Sequence, residues 1–192
     1  MQYKNQDKTL LILDVDETLI HATDKVLSLP IDFKVFNYNV YKRPFLDEFL
    51  VAIKNHFLLA LWSSASDDYV IEIANQIIPK EMSLEFIWGR SRCTYQYNSQ
   101  EELLNEEIQD HYHYIKPLKK LKKKGFKLDR ILIVDDSPHK SKDNFGNVIY
   151  PRAFVGNPKD VELKLLAKYL ISLKDKENVR RIEKRNWQGQ TR

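Results

Sequence analysis

The chain carries one cysteine, Cys93, in 192 residues. A single thiol excludes an internal disulfide framework and fits a reducing compartment. Nor does any apolar run approach the roughly 20 residues that a membrane helix requires. The polar opening, "MQYKNQDK", lacks the apolar region of a secretory signal. These absences lead us to expect a cytoplasmic protein, or a nuclear one if its source is eukaryotic. An excess of either charge is also missing. With 31 basic and 27 acidic side chains the net charge is +4, too mild by itself to argue for nucleic acid. His111, His113 and His139 lack companions at zinc-ligand spacing and read as surface or hinge residues.

What is present reads as one soluble globular domain over residues 1–192. Hydrophobic residues make up 43% and charged residues 30%, and a chain of this length can bury a real core. Residues 8–14, 57–63 and 130–135 are short apolar runs, as expected of strands buried on both faces of a parallel sheet. Amphipathic helices alternate with them. "RPFLDEFLVAIKN" places Pro44 at the first helical position, with Phe45, Leu46, Phe49, Leu50 and Ile53 on one face. "SDDYVIEIANQII" has Ser66 as N-cap and early acids that suit the helix dipole. "NPKDVELKLLAKYLISLK" offers Asn157 as N-cap and Val161, Leu165, Leu166, Tyr169 and Leu173 as its inner face. The fold class is α/β, one parallel sheet with helices on both faces. Residues 24–41 read as a small hairpin-like excursion, 86–114 as an insertion too short for a large cap, and 175–192 as a surface tail.

The first strand runs into an acidic sequence, "LLILDVDETLI". A later strand ends in Asp135 and Asp136. Ligands of open parallel sheets bind beyond the carboxyl ends of the strands. Two strands delivering carboxylates to one rim make an oxygen-rich pocket for a hard cation such as magnesium. Without a cation, the crowded carboxylates would raise one another's pKa.

"ILDVDETLI" resembles the DxDxT motif of the haloacid-dehalogenase (HAD) superfamily of phosphatases. "YKRPFLDEFL" at 41–50, "LALWSSAS" at 59–66 and "YIKPLKKLKKKGFKLDRILIVDDSP" at 114–138 resemble its FCP/SCP branch, the NLI-interacting-factor-like phosphatases that act on the RNA polymerase C-terminal tail. The motifs stand in the family's order and cover most of residues 8–175. The resemblance implies a HAD-like sheet without a large cap and a magnesium-dependent phosphatase. Asp14 would be the nucleophile that forms an aspartyl-phosphate, and Asp16 the general acid and base. Thr18 would steady the loop around the nucleophile. Ser63 would bond a phosphoryl oxygen, with Ser64 as the alternative hydroxyl, and Lys116 would neutralise phosphoryl charge. The metal would be held by Asp14, the Asp16 carbonyl and Asp135, with Asp136 either a ligand through water or a partner of Lys116. "GRSRC" resembles a family element that lines the substrate groove, which would put Arg90 or Arg92 near the phosphate. The aspartate at position 16 favours hydrolysis of phosphate esters, since dehalogenases and P-type ATPases lack it.

An open site suits phosphoserine or phosphothreonine on a protein or peptide. Two other classes stay in view: a phosphatase for nucleotides, nucleic-acid ends or small metabolites, and a non-catalytic phospho-ligand module. Each site residue also has a plainer explanation. Asp14 and Asp16 could be turn acids, Ser66 is better explained as a cap, and Trp62 as core. Lys116, Lys119, Lys120, Lys122, Lys123 and Lys124 crowd one expected helix, and most would be its solvated face. Cys93 is not followed by a glycine-rich phosphate loop with arginine, so it is not read as a nucleophile. Tyr95 and Tyr97 form an aromatic patch that could pair subunits or grip a peptide.

Overall fold

The three longest apolar runs do become neighbouring strands. The computed structural model of the chain describes residues 8–97 and 112–191; most of the acidic part of the expected insertion, with His111, lies outside them. Strands β1 (Leu10–Leu13), β5 (Leu58–Trp62) and β9 (Ile131–Val134) pair in parallel, flanked by β6 (Ile87–Trp88) and β10 (Val148–Ile149). The sheet order is β10-β9-β1-β5-β6. Side chains alternate across it. Leu11, Leu13, Leu59, Leu61, Leu132 and Val134 join one core, while Leu10, Ile12, Ala60, Trp62, Ile131 and Ile133 join another on the opposite face. Both faces are therefore buried, which is why these runs are apolar without alternation. Each fully buried aliphatic side chain contributes about 1.5–3 kcal/mol.

The chain leaves β1 towards β5 and β6, then returns to place β9 and β10 on the other side. The crevice where the order reverses lies beyond the carboxyl ends of β1 and β9, the usual ligand position in such sheets. Beside the main sheet, β2 (Ile20–Thr23), β3 (Phe33–Val35) and β4 (Tyr38–Lys42) form an antiparallel sheet in the order β2-β4-β3. The excursion thus begins at Ile20 rather than at residue 24. Strands β7 (Thr94–Tyr97) and β8 (Tyr112–Ile115) pair antiparallel. Phe86 and Trp88 supply carbonyls to the β5 edge, so the start of the 86–114 segment belongs to the main sheet.

Helix boundaries depart from expectation. Helix α1 spans Leu46–Ile53, not Pro44 onward. Phe45 sits outside it at φ 67, in the left-handed region, with its ring exposed beneath the Lys164 ammonium. Helix α2 spans Asp67–Ile77, with Ser66 at the cap position but no side-chain cap bond. Asp67 does more than complement a dipole: its carboxylate accepts from Gly89 N, Ser91 N and Ser91 Oγ. The lysine-rich stretch forms only α3, Lys119–Lys122, before Gly125 turns the chain at φ 88. Helix α4 spans Glu162–Leu173. Asn157 caps the preceding turn at Lys159 N, while Asp160 Oδ1 accepts from Glu162 N. Val161 is exposed and Leu165 only partly buried; Leu163, Leu166 and Leu170 carry the contact. No helix among the described residues is long and apolar enough to cross a membrane.

Candidate active site

Asp14 and Asp135 are the first residues beyond β1 and β9, whose register pairs Leu13 with Val134. Asp14 N bonds Val134 O at 2.9 Å and Asp135 N bonds Ile149 O at 3.2 Å. The backbone ladder thus delivers both carboxylates side by side. Both are buried, as is Val15 between Asp14 and Asp16. Lys116 follows β8, where its N–H bonds Lys140 O and its carbonyl accepts from Asn144 Nδ2 at 2.6 Å. Its fully buried ammonium donates to Asp14 Oδ1, and to Asp135 Oδ2 at 2.8 Å. Ser137 N and Ser141 Oγ complete Asp135 at 3.0 and 3.2 Å.

Burial pushes the Asp14 carboxyl up to about 7, against the pull of Lys116 and with a further push from Asp135. Burial pulls the Lys116 ammonium down, but Asp135 and Asp14 outweigh it and hold it above the ordinary lysine range. Glu17 is pushed up to about 7 by burial, then by Asp16 and Asp136. Lys140, half-buried, also pulls on Asp14, yet the carboxylates of the site outnumber its two lysines. Asp14, Asp135 and Asp136 offer oxygens within 4.8 Å of one another. An oxygen-only donor set with surplus negative charge fits a hard divalent cation.

Asp136 is not a partner of Lys116. Its Oδ1 lies 3.2 Å from Thr18 Oγ1 and its Oδ2 accepts from Ser137 Oγ. Asp136 N donates in turn to Thr18 Oγ1 at 3.3 Å, and that hydroxyl lies 3.5 Å from Asp14 Oδ2. Thr18 therefore ties the loop after β1 to the loop after β9.

The Asp16 carboxylate stands apart from the three-carboxylate cluster. Tyr69 OH donates to its Oδ1 at 2.6 Å and Ser63 Oγ to its Oδ2 at 3.3 Å. Ser63 Oγ also accepts from Ala65 N at 3.0 Å. Asp16 lines an open cleft of about 330 Å³ with Glu17, Phe36, Tyr38, Tyr69 and Arg90. Arg90 holds this position because its Nε donates to Ser64 O at 2.9 Å and its guanidinium lies over the Tyr114 ring. Ser64 serves here through its carbonyl. Arg92 does not line the cleft; it lies over the Trp88 ring, beside the second core. Two lysines of the basic stretch are also engaged elsewhere: Lys120, in α3, binds the carbonyls of Arg92 and Cys93, and Lys124, after it, lies over Trp88.

Sequence reasoning passed over Tyr69 and Arg43. No spacing rule links Tyr69 to Asp16, 53 positions away. Arg43 lies in the quoted "YKRPFLDEFL" and is buried. It forks onto Asp160 through Nε at 3.0 Å and Nη2 at 2.9 Å. It also donates to Thr18 O at 3.0 Å and Arg152 O at 2.7 Å. Its burial, which only the fold reveals, is what demands these partners, since an unpaired buried charge is rarely tolerated. Glu17, at φ 56, is held in its left-handed conformation by Phe154 N, which donates to its carbonyl at 2.7 Å.

Residues 9–180 match the family model for NLI interacting factor-like phosphatases. Among curated proteins, CTD small phosphatase-like protein 2 of Dictyostelium discoideum is 29% identical, over 90% of this chain and 29% of its own length. The human carboxy-terminal domain RNA polymerase II polypeptide A small phosphatase 1 is 29% identical, over 83% of this chain and 57% of its own. CTD nuclear envelope phosphatase 1B of Danio rerio is 25% identical, over 95% of this chain and 74% of its own. The chain spans about three tenths of the length of the Dictyostelium relative and of CTD small phosphatase-like protein 1 of Caenorhabditis elegans. Among solved structures, Fcp1, an RNA polymerase II CTD phosphatase, superposes with a TM-score of 0.56 at 19% identity, covering 89% of this chain and 51% of its own. The fold is thus the HAD-like one.

Proposed function

Because this chain belongs to the NLI interacting factor-like phosphatase family, we propose that it is a magnesium-dependent phosphatase for phosphoserine or phosphothreonine on a protein or peptide. One observation carries the reading. A buried lysine joins two carboxylates at the strand ends, while a third carboxylate, Asp16, is held apart from them on a phenol and a serine hydroxyl. That division suits two different tasks.

Asp14 attacks phosphorus in line through a carboxylate oxygen; the P–O bond to the substrate oxygen breaks and an aspartyl-phosphate forms. Lys116 pulls the Asp14 carboxyl down against the burial that raises it, and faces the charge on the phosphoryl oxygens. Asp16 gives its proton to the leaving oxygen. It then takes one from the water that hydrolyses the acyl phosphate, which restores both residues. Ser63 and Tyr69 aim the Asp16 carboxylate, and Thr18 braces the loop that carries it. Asp14, Asp135 and Asp136, with the Asp16 carbonyl, would hold the magnesium. When bound, the cation neutralises phosphate charge and lowers the cost of bringing an anion to a carboxylate.

The cleft favours a peptide over a polyanion. It is lined by Asp16 and Glu17, three aromatic rings and a single arginine. A nucleic acid would meet carboxylates there, and Lys120 and Lys124 are engaged by other partners. Arg90 is suited to a phosphoryl oxygen or the peptide beside it. The names of the relatives, a nuclear envelope phosphatase and an RNA polymerase II phosphatase, support the nucleus or its envelope as the place of work.

The test is p-nitrophenyl phosphate turnover with magnesium, with EDTA, and in Asp14→Asn, followed by phosphopeptides on the wild type. Metal-dependent turnover abolished in Asp14→Asn is the expected result. A folded protein without turnover under any divalent metal would leave phospho-ligand binding as the better reading.

A further inference from the structure

Phe36 lines two depressions at once. With Tyr38 and Tyr69 it walls the cleft beside Asp16. On its other side it heads a second groove, of about 520 Å³, between β3 and α2. Phe36 is 63% exposed, and its backbone stands at φ 51, which is unfavourable for a residue with a Cβ. A large apolar ring held out at a strained turn, shared by two cavities, has no part in either core.

The second groove has a definite chemistry. Helix α2 turns Asp68, Ile71 and Glu72 towards it, spaced three and four residues apart so that they share one face. Lys34 and Val35 line it from β3. Ile71 is 44% exposed, and Asp68 and Glu72 are exposed with no cation paired to either among the described residues. Strand β3 is the edge of its sheet, with β4 as its partner among the described residues. A strand edge running beside a helix is the shape that receives an extended chain.

We propose that this groove binds the substrate polypeptide on one side of its phosphoresidue. The inference rests on the phosphoprotein reading above and adds to it a sequence preference. An apolar side chain packs between Phe36 and Ile71, and a basic one meets Asp68 and Glu72, whose two charges outnumber that of Lys34. The occupant follows from continuity: a chain leaving the Asp16 cleft across Phe36 enters this groove. Polyanions are unsuited to its two carboxylates.

A phosphopeptide library tests it. Lysine, glutamate or leucine is placed in turn at each of about six positions on either side of phosphoserine, the ~20 Å reach of an extended chain. Each kcat/KM is divided by that for p-nitrophenyl phosphate with the same enzyme. The expected result is a preference of about three- to tenfold for lysine over glutamate at one position, with leucine favoured nearby. Glu72→Lys should reverse the charge preference at that same position, and Ile71→Asp should remove the leucine preference. Equal turnover of all peptides by the wild type would overturn the groove while leaving the phosphoprotein reading intact. A preference unchanged in both variants would do the same. Hydrolysis of p-nitrophenyl phosphate with no peptide turned over would overturn both.

Discussion

Tyr69 places its phenol 2.6 Å from Asp16 Oδ1, linking the first turn of α2 to the loop after β1. Burial, and then the Asp16 charge beside it, raise the phenol well above the ordinary tyrosine range, so it remains a donor at every working pH. Asp16 then receives one hydrogen bond from Tyr69 and one from Ser63, and its carboxylate is aimed before substrate arrives.

Tyr69→Phe removes only that hydroxyl. We expect kcat on p-nitrophenyl phosphate to fall about tenfold, the scale of one lost bond to a charged group. KM should change little, because the substrate phosphate is held by other groups. Steady-state kinetics with a thermal melt separates this from unfolding; a lowered melting temperature with unchanged kcat would remove Tyr69 from the positioning role.

Lys116→Met leaves Asp14 and Asp135 facing each other without a buried cation. Breaking such a group costs about 3–5 kcal/mol, and turnover should drop below detection. Magnesium should restore more melting temperature to this variant than to the wild type, since it supplies the missing positive charge. Equal magnesium shifts in the two proteins would contradict the shared site.

Metal binding should depend on pH. In the metal-free protein Asp14 and Glu17 are pushed up to about 7 from 3.8 and 4.5. A carboxyl with a raised folded pKa holds a proton that the unfolded chain releases. Its stabilising contribution is full below about pH 4 and lost as pH rises through about 7. EDTA-treated protein should therefore lose stability over that window. Magnesium must displace the Asp14 proton, so its affinity should rise with pH up to about 7. Calorimetric titrations in two buffers of different ionisation enthalpy would read the released proton directly.

Arg43→Lys should be costly despite the retained charge. Lysine cannot fork onto both Asp160 oxygens and still reach the carbonyls of Thr18 and Arg152. We expect a loss of about 3–5 kcal/mol for Arg43→Ala, measured by urea unfolding, and at least half of it for Arg43→Lys. A cost near zero for lysine would mean that charge alone matters here.

Gly89→Ala tests the join between α2 and the segment that carries Arg90. A Cβ at Gly89 would come within 2.7 Å of the Asp67 Cα and 2.9 Å of its backbone nitrogen. Backbone cannot yield as a side-chain tip would, so Arg90 should shift away from the cleft. KM for a phosphopeptide should rise several-fold more than kcat falls, and wild-type KM would show that Arg90 does not read the peptide.

Much of the site was legible because covalent sequence and strand geometry act together. Asp14 and Asp135 end apolar runs, and parallel pairing brings such ends to one rim whatever the rest of the chain does. Lys116 was readable only through resemblance, since five other lysines follow within eight positions. Burial singles it out. Tyr69 and Arg43 were invisible as partners, because their bonds reach across 53 and 117 residues. Helix starts were misplaced at Pro44 and Asn157 for a related reason. Local cap signals were overruled by the left-handed backbone that keeps Phe45 outside α1 and by the Arg43 fork that holds Asp160.

Chain order and residue type alone therefore determined the α/β class, the buried strands and the carboxylates at their ends. These depend on hydrophobic period and on neighbours in sequence. Tertiary structure decided which ammonium neutralises Asp14, which hydroxyls aim Asp16, and which arginine enters the cleft. Those choices depend on distance and on exclusion from water, and both exist only once the segments have packed.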